Sequence, residues 1–212
     1  MGSEDVVDMN RRAWERVADR YDARERVIVG ALFGDFMASL PAGGRVLDVG
    51  SGTGLPYAGA LAEGGYDVLG VDVSSRMVEL ARGRVPGACF VEMSMTEMAY
   101  EEEFDGVLAV YSMLLLDPPL FRDVAGRVVR ALRGGGVFYL VLNEPRVEGA
   151  DVDGEAVVEI MGEAMYSRSY SVGEVRDVFL PLGLEEAGFH REILRSEEFG
   201  VEHMVELLFR KP

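Results

Sequence analysis

The chain is short of the side chains that most metal and nucleophile chemistry needs. Its 212 residues contain two histidines, His190 and His203, and one cysteine, Cys89. A lone cysteine makes neither a disulfide framework nor a thiolate metal cluster within the chain. Two histidines rule out a histidine-rich metal site and leave a Ser-His-Asp hydrolase poorly provided. Uninterrupted apolar runs of about 18 residues, the length of a membrane-spanning helix, do not occur. The opening Met1-Gly-Ser-Glu-Asp is acidic and lacks the basic-then-apolar order of a secretory signal. Val6 stands where a myristoylation motif has Ser or Thr. No membrane partner and a cytoplasmic location are therefore expected. Positive charge is scarce as well: 21 Lys and Arg stand against 37 Asp and Glu, for a formal net charge of −16, and Lys211 is the only lysine. Nucleic-acid affinity draws heavily on basic side chains that neutralise phosphates. Nucleic acid is thus not an expected partner, whereas neutral or cationic small molecules are compatible with this charge.

What is present is the texture of one soluble α/β domain, 49% hydrophobic and 27% charged. Val6, Met9, Ala13, Trp14, Val17 and Tyr21 recur at helical spacing and predict a helix over 5–21. A second helix is expected over 25–40, ended by Pro41-Ala-Gly-Gly44. From Arg45 the pattern alternates. Strands are expected at 46–49, 67–71, 89–91, 104–110 and 136–142, with helices at 55–62, 75–84 and 118–132. That alternation implies right-handed crossovers and a mainly parallel sheet. Residues 146–170 read as an acidic insertion, helical in part. A helix over 172–187, interrupted near Pro181 and stopped at Gly188, precedes two strands at 190–195 and 205–209 that pair as a hairpin.

The strongest motif is Val46-Leu-Asp-Val-Gly-Ser-Gly-Thr-Gly54, a strand running into a glycine loop. Glycines there admit positive φ and remove Cβ atoms, so backbone amides can approach a ligand at the next helix N-terminus. Dinucleotide-binding proteins share such loops, but with G-x-G-x-x-G spacing. Here the spacing is G-x-G-x-G, and Asp48 precedes the first glycine by two positions. An acid there sits badly against a pyrophosphate and suits a ligand with positive charge. Asp72 ends the second strand, 18 residues after Gly54, where a carboxylate can accept both ribose hydroxyls. Ser74 is placed to cap the helix that follows.

Asp48 to Gly54, Asp72-Val73, Met77, Phe104-Asp-Gly-Val-Leu108 and Leu132-Arg-Gly-Gly-Gly136 together resemble the class I S-adenosylmethionine (SAM)-dependent methyltransferases. In particular, they resemble the small-molecule branch typified by the ubiquinone and menaquinone methyltransferases and related methyltransferase-domain proteins. The resemblance covers roughly residues 10–145 by motif and 170–212 by pattern. It implies a Rossmann-like α/β fold with a seven-stranded sheet of order 3-2-1-4-5-7-6, strand 7 antiparallel, flanked by helices. It implies SAM as cofactor and no metal. The loop Gly50-Ser51-Gly52 would face the methionine moiety, Asp48 its ammonium end and Asp72 the ribose. Val73 and Met77 would pack on adenine, Tyr111 would line the sulfonium side, and Tyr21 would close over the methionine portion. The family often has an acid after strand 3 that receives the adenine amine. The matching position here is Ser94, followed by Met95, with Glu92 and Glu97 as neighbours that a shifted register would bring in.

Several residues have plainer readings. Asp117-Pro-Pro-Leu120 imitates the Asp-Pro-Pro-aromatic motif of amine methyltransferases, but it lacks the aromatic, and Asp before Pro is an ordinary helix start. Trp14 reads as packing for the first helix, the methionines at 93, 95 and 98 as core filling, and both histidines as structural. One domain spanning 1–212 is expected, with residues 1–40 as a helical extension. That extension and 146–170 would form a lid over the acceptor. Tyr21, Tyr111, Glu144, Tyr166 and Tyr170 are its candidate wall. No catalytic residue is named, because methyl transfer needs a general base only when the acceptor arrives protonated. The competing readings are a non-catalytic SAM-binding partner protein and an NAD-type oxidoreductase. The acceptor is unidentified, and the oligomeric state is open between monomer and homodimer.

Overall fold

The computed structural model describes residues 2–24, 26–145, 155–196 and 200–212. Its elements run α1 (Ser3–Asp22), α2 (Phe33–Ala38), β1 (Arg45–Val49), α3 (Tyr57–Glu63), β2 (Asp67–Asp72), α4 (Ser75–Arg84), β3 (Cys89–Glu92), β4 (Phe104–Val110), α5 (Pro118–Ala131), β5 (Leu132–Asn143), β6 (Glu155–Ile160), β7 (Glu163–Arg168), α6 (Val172–Phe179), β8 (Glu185–Ser196) and β9 (Gly200–Arg210). Seven strands form one sheet in the order β3-β2-β1-β4-β5-β9-β8. β9 lies antiparallel to both β5 and β8, while the other neighbours are parallel. Counted within this sheet, the order is the 3-2-1-4-5-7-6 that the resemblance implies.

Helices cover both faces because the central strands are apolar on both sides. On one face α5 and α6 pack against Leu47, Val107, Phe138 and Phe209; on the other α2, α3 and α4 pack against Val46, Leu108, Tyr139 and Leu208. α5 shows how sequence dictates such an element. Asp117 caps it by accepting from the Leu120 N–H at 2.9 Å, and Pro118 and Pro119 occupy its first turn, where a missing N–H costs nothing. Phe121, Val124, Ala125, Val128 and Ala131 then recur at intervals of three and four on its buried side. The Asp117 motif is thus a cap.

Three expectations need correction. Helix over 25–40 shrinks to α2, because Gly30 takes a φ of +88° and the following amides turn to a side chain instead. Glu206, fully buried in β9, accepts from Ala31 N–H at 2.6 Å and Leu32 N–H at 3.3 Å. Residues 155–168 are not helical but an antiparallel hairpin. Met161 and Gly162 both have positive φ at its turn, the backbone that a two-residue turn between twisted strands requires. Residues 146–154 of the expected insertion lie outside the described residues. Finally, α6 ends at Phe179 because Pro181 cannot continue it. Glu185 and Glu186 join β8, and Gly188 sits at a register shift in that strand rather than at a helix stop.

Candidate active site

β1 and β4 are neighbours whose following helices leave to opposite faces of the sheet. The crevice between them, beyond their carboxyl ends, is where open α/β sheets bind ligands. A cavity of about 760 Å³ opens there, within the roughly 300–1,000 Å³ usual for small-molecule sites.

One half of its wall is the glycine loop and its surroundings. Gly50 has a φ of +74°, and a Cβ on it would lie 2.4 Å from Ser112 Cβ, so only glycine fits. Ser112 is itself fixed by donating to Val49 O at 2.5 Å. The Gly52 N–H donates to Asp72 Oδ2 at 2.8 Å, and the Ser74 N–H to Asp72 Oδ1 at 2.9 Å. Asp72 thereby braces the loop and keeps lone pairs for a ligand, since a carboxylate can accept about four bonds. Ser74 caps α4, as expected, by accepting from Met77 N–H. Burial pushes the Asp72 carboxyl up to about 6, against the pull of those two N–H groups. Asp48, behind the loop, is pushed up to about 7 by burial and then by the charge of Asp72. Burial thus makes charge on both carboxyls costly, a cost that a nearby positive group would offset.

Gly50, Gly52, Asp72, Val73 and Met77 line the cavity, as do Ser94, Met95, Tyr111 and Tyr21. Asp48 and Ser51 stand behind the wall. Ser94 is already committed: its Oγ accepts from Thr96 N–H at 3.3 Å and lies 2.7 Å from Thr96 Oγ1. Glu97 turns back to the Ser94 N–H, and neither it nor Glu92 reaches the cavity. Tyr111 holds a φ of +52°, a conformation that costs a non-glycine residue on the order of 1 kcal/mol and that points to a constraint at this wall.

The other half is made by α1, the β6–β7 hairpin and β9. Val7, Asn10 and Trp14 of α1 face the cavity, with Val158 and Ile160 opposite. Trp14 therefore does more than pack its helix, and meets Tyr21 edge-on at 5.4 Å. Met93, Met95 and His203 also line the cavity, while Met93 and Met95 pack against the core and Met98 lies within it, as expected. Glu144 is in the wall, paired with Arg191 at 2.9 Å. Tyr166 and Tyr170 are not. Strand alternation gives the cavity Ser167 and Ser169 instead. The Tyr170 hydroxyl donates to Leu116 O at 2.7 Å, and its ring stacks on Phe121 in the core.

Three anchors escaped sequence reasoning. Asn10 interrupts the apolar stripe of α1 and is buried; it donates to Leu115 O and Tyr166 O and accepts from the Tyr166 N–H at 2.8 Å. A polar residue on a buried stripe was the available signal. Glu15 sits over the N-terminus of α4, accepting from Ser74 Oγ, Ser75 Oγ and the Arg76 N–H. Arg26 donates to Thr53 Oγ1 of the glycine loop at 2.5 Å and lies 4.3 Å from the Tyr21 ring centroid. Its Nε and Nη1 are buried without hydrogen-bond partners. Among the described residues, no three His, Cys, Asp or Glu converge on a metal-binding point, and no helix is long and apolar enough to cross a membrane.

Residues 46–136 match the model of a methyltransferase domain. The chain is similar to "Methyltransferase GfsG" of Streptomyces halstedii, 30% identical over 154 residues, 69% of this chain and 53% of that protein. The chain spans between 30% and 53% of the length of the curated relatives it matches. Among solved structures, a SAM-dependent methyltransferase of Methanosarcina mazei superposes with a TM-score of 0.75 at 19% identity, over 87% of this chain and 99% of that one. A 1,6-didemethyltoxoflavin-N1-methyltransferase of Burkholderia thailandensis, solved with its substrate and S-adenosylhomocysteine, superposes at 0.70 and 18% identity, over 100% of this chain and 91% of that one. The chain shares its fold with these solved SAM-dependent methyltransferases.

Proposed function

We propose that the chain is a SAM-dependent methyltransferase acting on a small molecule, with the cofactor held across the carboxyl ends of β1 and β4. The observation that carries this reading is the pairing of Asp72 with the Gly52 amide beside a buried Asp48. Together they make a glycine cradle backed by two raised carboxyls, which suits a cationic ligand and opposes a pyrophosphate. The cofactor supplies a methyl group on a sulfonium, already activated for in-line displacement.

The residues present fit that group. Asp72 accepts the ribose hydroxyls with the lone pairs its two N–H partners leave over. Asp48 answers the ammonium end through the loop. Arg26 stands behind the loop, donating to Thr53 Oγ1 and lying 3.9 Å from Asp22, and so supports the cradle from outside the cavity wall. Val73 and Met77 pack on adenine. The Met95 amide serves the ring, and the committed Ser94 hydroxyl serves it weakly. Tyr21 and Tyr111 flank the reacting end, and backbone at Gly50, Ser51 and Gly52 follows the methionine portion. The chain's contribution to rate is to hold the acceptor near attack distance and exclude water.

Residues 1–40 and the 146–170 insertion of this single domain act as the acceptor lid. Its anchors are the Asn10 and Glu15 bonds, and its cavity side includes Glu144. The acidic protein works in the cytoplasm as a monomer or homodimer and takes neither nucleic acid nor a membrane as partner. The test is a calorimetric titration with SAM, S-adenosylhomocysteine and NAD. Tight binding of the first two, lost in Asp72→Ala and kept in Asp117→Ala, is expected. Binding of NAD alone, or loss in the Asp117 variant only, overturns the reading. Deleting 1–24 with no change in turnover or SAM affinity overturns the lid.

A further inference from the structure

Beyond Tyr111 the cavity carries polar groups that the donor site leaves unused. Asn143, the last residue of β5, donates through Nδ2 to Glu202 Oε1 of β9 at 2.8 Å. A carboxylate only accepts, so this bond fixes which way the amide faces and leaves Oδ1 as the outward atom. Asn143 Oδ1 is buried and has no hydrogen-bond partner. The Tyr111 hydroxyl is likewise buried and unpartnered, and burial, then the charge of Glu202, raises its pKa. All three residues line the cavity. Buried polar atoms in folded proteins nearly always have partners, so two orphans in one wall mark a place where a ligand supplies the missing half.

The charges around them have one sign. Glu202 lines this half, and Glu144 is neutralised by Arg191. None of the described lining residues is Arg or Lys. An entering carboxylate or phosphate can accept from the Tyr111 hydroxyl, but it would lie beside Glu202 with no Arg or Lys to offset its desolvation. The remaining wall is apolar: Trp14, Leu114, Leu115, Val158 and Ile160 surround the polar group, which suits a ring-sized apolar body.

Resting on the donor reading above, we propose that this subsite takes an uncharged or cationic molecule that presents an O–H or N–H from an apolar ring system. Asn143 Oδ1 and Glu202 receive that donor, and carboxylates and phosphates are excluded. The site selects by what it lacks as much as by what it offers. Asn143 Oδ1, buried and unmet, penalises any ligand without a donor.

Calorimetry on the full chain tests this with 2-naphthol, 2-naphthylmethylammonium and 2-naphthoate as probes of one body and three polar ends. Each is titrated after saturation with S-adenosylhomocysteine. The alcohol and the ammonium are expected to bind about tenfold or more tighter than the carboxylate. Asn143→Ala lowers naphthol affinity about fivefold and leaves S-adenosylhomocysteine affinity unchanged. The near-isosteric Glu202→Gln removes most of the ammonium preference and serves if the Asn143 variant misfolds. Naphthoate binding as tightly as naphthol, or no probe binding while S-adenosylhomocysteine does, overturns this proposal alone. Failure of S-adenosylhomocysteine to bind overturns the donor reading and this one with it.

Discussion

Where the cavity meets β1, β2 and β4, its wall is placed by sheet register and by a glycine loop in which Gly50 admits no substitute. Across from it, the wall is side chains carried on α1, the β6–β7 hairpin and β9. β9 belongs to the sheet itself, while α1 and the hairpin are joined by a small apolar cluster of Ala13, Val17 and Met165 and by a few polar anchors. The donor half is therefore over-determined: Gly50 is fixed by Ser112, Ser112 by Val49, and Gly52 by Asp72. α1 and the hairpin are held by Asn10, Glu15 and exposed ion pairs such as Arg16 with Glu163, the last of which contributes at most about 1 kcal/mol. A fold arranged this way can change its acceptor without disturbing its donor. If that division holds, substitutions in the first half should be costly for cofactor binding and those in the second nearly silent.

The largest expected effect is at Asp72. Replacing it with Ala removes the ribose acceptor and strands the Gly52 and Ser74 amides, so affinity for S-adenosylhomocysteine should fall about 100-fold or more. Asp72→Asn keeps one acceptor oxygen and should lose about tenfold. Equal affinity in both variants and the parent, by calorimetry, would break the division at its strongest point.

Next comes Arg26, which belongs to the donor half although it lies in the N-terminal extension. Arg26→Met retains packing on Tyr21 and removes the bond to Thr53 Oγ1 behind the glycine loop. A roughly fivefold loss for S-adenosylhomocysteine is expected by calorimetry. Unchanged affinity would show that Asp72 and Ser112 hold the loop without it.

Arg26 also shows where sequence reasoning stops. The glycine loop, Asp72, the Ser74 cap and the Asp117 cap were legible because each depends on backbone chemistry within a few residues. Arg26 meets Thr53 only once the 26–32 segment is turned by Gly30 and Glu206, which no local pattern announces. Tyr166 and Tyr170 were misplaced for a related reason. Side chains on a strand alternate, so the hairpin's register alone decides whether Tyr166 or Ser167 faces the ligand. Here Val157 pairs with Tyr166, and the tyrosines fall on the side away from the cavity. The acidic, part-apolar look of 146–170 hid the hairpin, although the run Val157-Val158-Glu-Ile160 before Met161-Gly162 carried a strand-and-turn signal. Asn10 and Glu206 were each visible as a polar residue on an apolar stripe, which marked them as buried and bonded but not to what.

A smaller effect separates the halves by pH. A carboxyl raised to about 7 at Asp48 and to about 6 at Asp72 means that the folded chain keeps protons the unfolded chain releases. That contribution is complete below the unfolded value near 3.8 and is lost as pH rises through about 6 and then 7. The unliganded protein should therefore show a falling Tm between pH 5 and pH 8, and Asp48→Asn should flatten the fall by roughly 5 °C at pH 8. SAM binding should release protons in the same window, read as a buffer-dependent heat. A Tm that rises across this range would place the two carboxyls in a different electrostatic setting.

The smallest effect is the one that most directly tests whether the halves are separable. Glu15 of α1 places its carboxylate on the Ser74 and Ser75 hydroxyls and the Arg76 amide, at the positive end of α4 and one helix turn from Asp72. Glu15→Gln keeps the shape and removes the charge. It should cost about 1 kcal/mol of stability, or roughly 2–4 °C in Tm, because α1 remains held by Asn10 on β7 and by Asp22 on Arg84 at 2.5 Å. Affinity for S-adenosylhomocysteine should stay within about twofold, since Asp72 keeps both of its N–H partners. A tenfold loss instead would mean that α1 sets the position of Asp72 through Ser74. The lid and the donor site would then be one cooperative unit, and acceptor binding would be felt at the ribose.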